Sequence, residues 1–458
     1  MQSNENYVLT HCHTTLTNPI FFDATANYNQ YIKKAKELKM NAISFTEHGN
    51  IYQWIAKKNA CDASGIKYIH GSEFYMAIDL NVQERQDFHI CLYATNYEGV
   101  KELNKLSSKS FEGKGKKWYP GIQYYYRPRI SFDQLKNTSD NIIVTTACLA
   151  SLLWRRKDQE IATQYLEWLS ENNHRCFLEV QPHIKSAEQK EYNKLLSEWS
   201  DQYKIKLIAG TDTHVLNKED NRLRFVLQMG KKVTKEASED GYALHMRDFN
   251  ELVNEFKEQG VLAEEKYLEA IQNTNTLADM CEDWQLDKSH KYPKISDDPQ
   301  GELWKRIENG IESRKINNFN EDKRKKYLDR IKSEFDVFVK MGMCDYILLL
   351  HNIIIFCREN NISVVPRGSC NGSQTLWALE ITDIDSIKFN LHFFRFVNPD
   401  RISLGDVDID MAGSKRPMIK NFLYNYKGIN GCAIVTYQKL ALRGACRLVG
   451  KGLGYSLD

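Results

Sequence analysis

The stretch YVLTHCHT, Tyr7–Thr14, ends a short apolar run in two histidines spaced two residues apart. In an extended strand the side chains at i and i+2 point to one face, so His11 and His13 are expected side by side. KLIAGTDTH, Lys206–His214, repeats the device with Asp212 and His214. Between the two lie NAISFTEHG (Asn41–Gly49), KYIHGSEFYM (Lys67–Met76), HICLYATN (His89–Asn96), NIIVTTACL (Asn141–Leu149) and RCFLEVQPH (Arg175–His183). Helix-like amphipathic stretches, Tyr28–Lys39, Tyr97–Ser108 and Ile161–Asn172, separate several of these runs. The alternation predicts a parallel α/β barrel or an open α/β sheet. A metal-ligating side chain lies toward the C-terminal end of most runs: His11 and His13, His48, Glu73, Cys148, Asp212 and His214. His89 opens its run instead. Ligands delivered from several strand ends to one face are how α/β barrels build active sites.

Bulk properties set the outer limits. With 458 residues, two or three domains are expected, each able to bury its own core. The chain is 42% hydrophobic and 27% charged, as in ordinary soluble proteins. It opens without a basic, apolar signal peptide and has no apolar run of about 18 residues, so a cytoplasmic protein with no membrane partner is expected. Its 11 cysteines form no CxxC pair, which fits a reducing compartment better than a disulfide framework. A net charge of +2 excludes an overall polycation but leaves room for local basic patches. KGKKWYPGIQYYYRPR, Lys114–Arg129, interleaves cations and aromatics as single-strand binders do, or is a solvated loop. EDKRKKYLDRIKSEF, Glu321–Phe335, alternates charge at helical spacing and reads as an exposed helix face.

After Asn217 the pattern is mainly helical through Asn360. HKYPKISDDPQG, His290–Gly301, reads as an extended connection, and a soft domain boundary falls between residues 215 and 300. A final α/β segment is expected from ISVVPRGSCNGS, which begins at Ile362.

Two constellations carry chemistry. Imidazoles with carboxylates suit Zn²⁺, Mn²⁺ or Fe²⁺, and such a cluster can convert a bound water into hydroxide for attack on phosphorus. The second is SLGDVDIDMAGSKR, Ser403–Arg416, which puts Asp406, Asp408 and Asp410 on one face of a strand with Val407 and Ile409 opposite. Like charges that close are costly unless a cation sits among them, although a solvated edge strand is the simpler reading of the triplet alone. The Gly/Ser loop VVPRGSCNGS, Val364–Ser373, could cradle phosphates with Arg367 or be only a tight turn.

HCHT, TEHG, GSEFY, FHICLYATNYEG, TTACL and GTDTH, in that order, resemble the motifs of the polymerase-and-histidinol-phosphatase (PHP) domain that opens bacterial DNA polymerase III alpha, C-family replicative polymerases. The resemblance implies a distorted (β/α)7 barrel, then a helical connection and a partial nucleotidyltransferase-like palm. It places the metal ligands at His11, His13, Asp23, His48, Glu73, His89, Cys148, Asp212 and His214, and the metal as Zn²⁺ or Mn²⁺. TLTNPIFFDA inserts a few residues ahead of Asp23, and Glu47 stands where the family has Asp. A complete ligand set implies a 3′ to 5′ proofreading exonuclease.

PRGSCNGS, FFRFVNPDRIS and GDVDID together resemble the family's palm. The resemblance implies Asp406 and Asp408 as ligands of two catalytic Mg²⁺ ions, with Asp410 in a supporting role. It puts Gly368, Ser369 and Arg395, with Arg367 beside them, on the nucleotide side. Gly405 replaces a customary proline, and Val364, Val365 and Pro366 replace Gly-Pro-Gly. Arg443, Arg447 and Lys451 match the start of a DNA-facing thumb. The expected domains are 1–275 (PHP), 276–435 (partial palm with helical insert) and 436–458 (start of the thumb). The implied substrates are primer-template DNA and dNTPs. The family's third catalytic aspartate lies beyond the chain, so polymerisation is expected to need the C-terminal remainder, in trans or in an uncut chain, and other replisome subunits are possible partners. Alternatives are a PHP nuclease or phosphoesterase acting alone on a DNA-holding palm, and a non-catalytic DNA-binding remnant.

Overall fold

A computed structural model describes residues 6–83, 85, 87–113, 121–231, 242–287, 291–399, 405–429, 431 and 440–455. They fall into two units, residues 1–286 with 439–458, and residues 287–438.

The first unit is a curled mixed sheet wrapped by helices, a distorted (β/α) barrel. Its strands are β1 (Ala42–Phe45), β2 (Lys67–Ala77), β3 (Phe88–Ala94), β4 (Arg129–Ser131), β5 (Ile142–Thr145), β6 (Cys176–Val180) and β7 (Lys206–Ala209). They run in the order β1-β2-β3-β5-β6-β7, with β4 beside β2. The N-terminal segment joins the two edges: Ser44 N donates to Leu9 O at 2.9 Å on the β1 side, and Thr213 N donates to His11 O at 3.1 Å beyond β7.

Two expectations are corrected here. The sheet is not all parallel, because β3 runs antiparallel to both β2 and β5. No helix lies between β2 and β3 among the described residues, so the chain turns straight back, as an antiparallel pair allows. This explains why His89 opens its run: the start of an antiparallel strand lies at the same end of the sheet as the C-terminal ends of its neighbours. In addition, YVLTHCHT makes only isolated bridges, at Leu9 and Cys12, and Asp212 lies beyond the end of β7 with φ +42°. His11 and His13 still reach one side, both Nε2 atoms lying 3.3 Å from Asp212 Oδ1, whereas Asp212 itself is turned by a left-handed backbone outside any strand.

The strands are buried on both faces. Ile43, Phe45, Ile90, Leu92, Val144 and Leu178 join one apolar cluster, while Ala42, Cys91, Tyr93, Ile143, Phe177 and Ile208 join a second. Double-sided burial accounts for near-continuous apolar runs where an alternating pattern would mark a half-exposed sheet.

In the second unit, helices Pro299–Ser313, Glu321–Lys340 and Cys344–Glu359 share a core that includes Leu303, Ile307, Ile331, Phe338 and Ile347. A two-stranded antiparallel ribbon, β8 (Val364–Arg367) and β9 (Asp408–Met411), pairs Arg367 with Asp408 and Val365 with Asp410. Among the described residues this ribbon is the whole of the sheet expected in the final segment. Pro299 is the first residue of a helix capped by the Asp298 side chain, so helix intrudes on the connection expected over His290–Gly301. The charged face of Glu321–Phe335 is largely exposed, as expected, except at Glu334. That buried carboxylate accepts from Ser373 Oγ at 2.7 Å, Thr375 N at 2.9 Å and Gln374 N at 3.1 Å. It thereby caps the helix that follows the Gly/Ser loop.

The helix Leu442–Gly452 packs on Asn221–Lys231 within the first unit. The backbones touch at two glycines: a Cβ on Gly452 would fall 2.1 Å from Val226 O, and one on Gly230 2.5 Å from Leu448 O. No single helix among the described residues is long and apolar enough to cross a membrane.

Candidate metal centre

All nine side chains of the expected ligand set meet at one end of the barrel. Glu73, on β2, is the hub. Its Oε2 lies 2.5 Å from His48 Nδ1 and 3.5 Å from His13 Nε2, and its Oε1 lies 2.8 Å from His89 Nδ1 and 3.6 Å from His11 Nε2. Asp212 Oδ1 is 3.3 Å from both His11 Nε2 and His13 Nε2. Asp23 Oδ2 is 3.0 Å from His214 Nε2 and 3.6 Å from His48 Nε2, so the insertion ahead of Asp23 does not carry it away from the cluster. Cys148 Sγ stands 3.7 Å from His89 Nδ1.

Burial makes this arrangement costly without a cation. His11, His13, Glu73 and Asp23 are at most 2% exposed. Both nitrogens of His13 and of His48, both oxygens of Glu73, Asp212 Oδ1 and His214 Nε2 face one another at the distances above without a well-directed hydrogen bond among the described residues. An unsatisfied buried polar atom typically costs about 1–3 kcal/mol, and here they converge. Sets of three that bring ligand atoms within 4.8 Å of one another include His13, His48 and His214, then His11, His13 and Glu73, then His48, Glu73 and His89. Mixed imidazole and carboxylate donors with one thiol suit Zn²⁺, Mn²⁺ or Fe²⁺.

The electrostatics show a cluster whose carboxylates draw positive charge, held on His11 and His48 as protons that a bound cation would replace. Burial pushes the His13 imidazolium down to about 3, helped by His48 and His214, so it is neutral with lone pairs free. Burial opposes charge on Glu73 too, yet His89 and His48 hold its carboxyl well below the ordinary range. The same balance, with His214 and His48, keeps Asp23 ionised. His48 is raised to about 10, because Glu73 and Asp23 overcome its burial. Burial lifts the Cys148 thiol, so a metal binding there must displace its proton.

Behind the ligands lies a layer that the sequence reading missed. Glu179 Oε1 sits 2.6 Å from His11 Nδ1, and the Glu179 carboxylate also accepts from Thr145 Oγ1 at 2.8 Å and Gln181 Nε2 at 2.9 Å. That contact fixes the His11 tautomer and aims Nε2 at the cluster. The available signal was a carboxylate in the middle of an apolar run, RCFLEV, where no solvent-facing position exists. Glu47 accepts from Lys57 Nζ at 2.7 Å and Thr14 Oγ1 at 2.7 Å, so it braces the HCHT segment. The Lys114–Arg129 patch is described only in part. Lys114–Pro120 lies outside the described residues, and the buried Arg129 donates to the carbonyls of Leu80, Val82, Ile122 and Gln123.

In the second unit, Asp406, Asp408 and Asp410 are exposed while Val407 and Ile409 pack on the core. Gly368 starts a tight 3₁₀ turn, Gly368–Gly372, with φ +85°, and a Cβ there would lie 4.0 Å from Asp408 Oδ2. Ser369 is exposed on the same turn. Arg367 Nε donates to Asp410 Oδ1 at 3.1 Å, so its guanidinium is engaged by the third aspartate. Arg395 is exposed on the turn Phe393–Arg395, which abuts the glycine turn: a Cβ on Gly372 would meet His392 O at 2.7 Å. Arg443, Arg447 and Lys451, four residues apart, share one exposed face of Leu442–Gly452 in the first unit.

Comparison with known proteins gives two family matches. Residues 10–183 match the PHP domain, and residues 301–458 match the bacterial DNA polymerase III alpha NTPase domain. The DNA polymerase III subunit alpha of Aquifex aeolicus is 29% identical over 484 residues, 98% of this chain and 40% of the relative. That of Borreliella burgdorferi is 30% identical over 476 residues, 99% of this chain and 39% of the relative. An amidohydrolase structure from Chromobacterium violaceum is a distant likeness, with a TM-score of 0.26 and 12% identity over 46% of this chain and 88% of that one. The chain thus spans about 40% of the length of the curated relatives it matches.

Proposed function

The chain joins a PHP domain to sequence of the DNA polymerase III alpha NTPase domain and corresponds to the N-terminal part of DNA polymerase III alpha subunits, and from that premise we propose that its metal centre is a 3′ to 5′ exonuclease serving a polymerase palm. The observation that carries this reading is the convergence of nine ligand-capable side chains, most of them buried, whose imidazoles, carboxylates and thiol face one another at 2.5–3.7 Å.

His11, His13, Asp23, His48, Glu73, His89, Cys148, Asp212 and His214 would hold Zn²⁺ or Mn²⁺. When bound, such ions supply Lewis acidity toward a phosphoryl oxygen and a nucleophilic water near neutral pH. The chain's own part is to keep His13 neutral, Asp23 and Glu73 ionised, and His11 locked by Glu179. The cavity of about 420 Å³ beside the cluster admits substrate to one side of it.

In the second unit, Asp406 and Asp408 would hold Mg²⁺ on the solvent-facing side of the ribbon, with Gly368, Ser369 and Arg395 toward the incoming nucleotide. Primer-template DNA, dNTPs and the remainder of the alpha subunit are the partners of that chemistry, with Arg443, Arg447 and Lys451 along the duplex.

The test is a single-stranded oligonucleotide labelled at its 5′ end, incubated with chelated protein and with protein re-supplied with Mn²⁺ or Zn²⁺. Shortening in single-nucleotide steps only with metal supports the exonuclease. Removal of a terminal phosphate without shortening supports a phosphoesterase instead, and no product under either condition leaves the cluster a structural metal site.

A further inference from the structure

The cavity beside the metal centre has a wall that ligation does not use. Arg127, in a loop, and Arg155, the last residue of the short helix Leu152–Arg155, line it, and both are tied to Asp87. Arg127 Nη1 meets the Asp87 carboxylate at 3.2 Å, and Arg155 Nη1 donates to the Asp87 carbonyl at 3.1 Å. Asp87 is 3% exposed and lies two residues before His89, so one short segment places a metal ligand and orients two cations. The Arg127 guanidinium is also stacked over Tyr75, 4.7 Å from the ring centre, which fixes its plane.

Two more groups point to a ligand. His183 and Tyr75 line the same cavity, each 1% exposed, and His183 Nδ1 and the Tyr75 hydroxyl have no hydrogen-bond partner among the described residues. Neither belongs to the ligand set. Outside that set, Glu188 is the only carboxylate in the wall among the described residues. The cavity, about 420 Å³, is near the small end of the ~300–1,000 Å³ typical of ligand sites and has room for one nucleotide but not for a base pair with its neighbours.

We propose that this cavity binds a single nucleotide unit, its phosphate held by Arg127 and Arg155, with Asp87 as the residue that positions both. Planar guanidinium forks match phosphate oxygens, and neutral His183 and Tyr75 supply hydrogen bonds to sugar or base. The proposal deepens the exonuclease reading and rests on it for the identity of the substrate, but its test does not depend on turnover.

The experiment is calorimetric titration of the Mn²⁺-loaded chain with thymidine 5′-monophosphate and with thymidine, for wild type, Arg127→Gln and Arg155→Gln. Metal content and melting temperature are measured in parallel. Arg155 is exposed, so its replacement leaves the fold intact even if Arg127→Gln does not. The monophosphate is expected to bind at least about tenfold more tightly than thymidine, and each variant to lose about tenfold in monophosphate affinity at unchanged metal content. Equal affinity for monophosphate and nucleoside, or Arg155→Gln binding as wild type does, overturns the clamp. Arginine-dependent monophosphate binding in a chain with no nuclease activity would uphold the clamp while removing the exonuclease.

Discussion

His11 Nδ1 and Glu179 Oε1 lie 2.6 Å apart with both side chains sealed from solvent, and this contact decides which nitrogen of His11 faces the other ligands. Loss of such a supporting carboxylate typically weakens metal binding 10- to 100-fold. Glu179→Gln is therefore expected to keep the fold and lose metal affinity by about that factor, read by competition with a chromophoric chelator. Unchanged affinity would mean that the orientation of His11 is set elsewhere.

The same carboxylate constrains Gly210. A Cβ at that position would lie 1.9 Å from Glu179 Oε1 and 2.3 Å from its carboxyl carbon, with no space to yield. Gly210→Ala should displace Glu179 and lower both melting temperature and metal content. A variant with wild-type metal content would show that the carboxylate can move without consequence.

Glu334 predicts a stability effect in the second unit. Its carboxylate satisfies Ser373 Oγ and the backbone N–H groups of Gln374 and Thr375, and Arg330 Nε meets it at 2.5 Å. Removing one partner of a buried charged network costs about 3–5 kcal/mol. Glu334→Ala should show that loss in urea unfolding, whereas Arg367→Ala, which breaks an exposed pair with Asp410, should cost less than about 1 kcal/mol.

His70 predicts a pH effect away from the metal centre. It is fully buried, its Nε2 contacts Asn104 Oδ1 at 2.9 Å, and burial lowers its pKa from 6.5 to about 4. The unfolded chain binds a proton at this site that the folded chain refuses. Its contribution is thus fully present above pH 6.5 and declines as pH falls toward 4, by roughly 3 kcal/mol in total. His70→Gln should flatten the stability profile over that window relative to wild type. Parallel profiles for the two proteins would show that another group is responsible.

Much of the barrel was legible because its strands are buried on both faces and read as apolar runs with ligands at their ends. What was hard to read was direction: in HICLYATN the one clue to an antiparallel strand was the place of the ligand, His89, at its start. The ligand set was legible as a list of residue types in order. Its geometry was legible only in part: His11 and His13 share a side as their spacing predicts, but the left-handed φ that aims Asp212 leaves no periodic signature. The supporting residues Glu179, Glu47 and Glu334 were missed for one shared reason. Their roles depend on partners far along the chain, at His11, Thr14 and Ser373, and local pattern carries no information about such partners.

The most direct measurement is release of 3′ nucleotides from single-stranded DNA by metal-loaded wild type and His13→Ala, with bound metal quantified in both. His13 is buried at the middle of the cluster, its Nε2 between Glu73 and Asp212, so its removal is expected to abolish metal-dependent release while circular dichroism stays that of wild type. Release at the wild-type rate with unchanged metal content would contradict the assignment of this cluster as the catalytic metal centre.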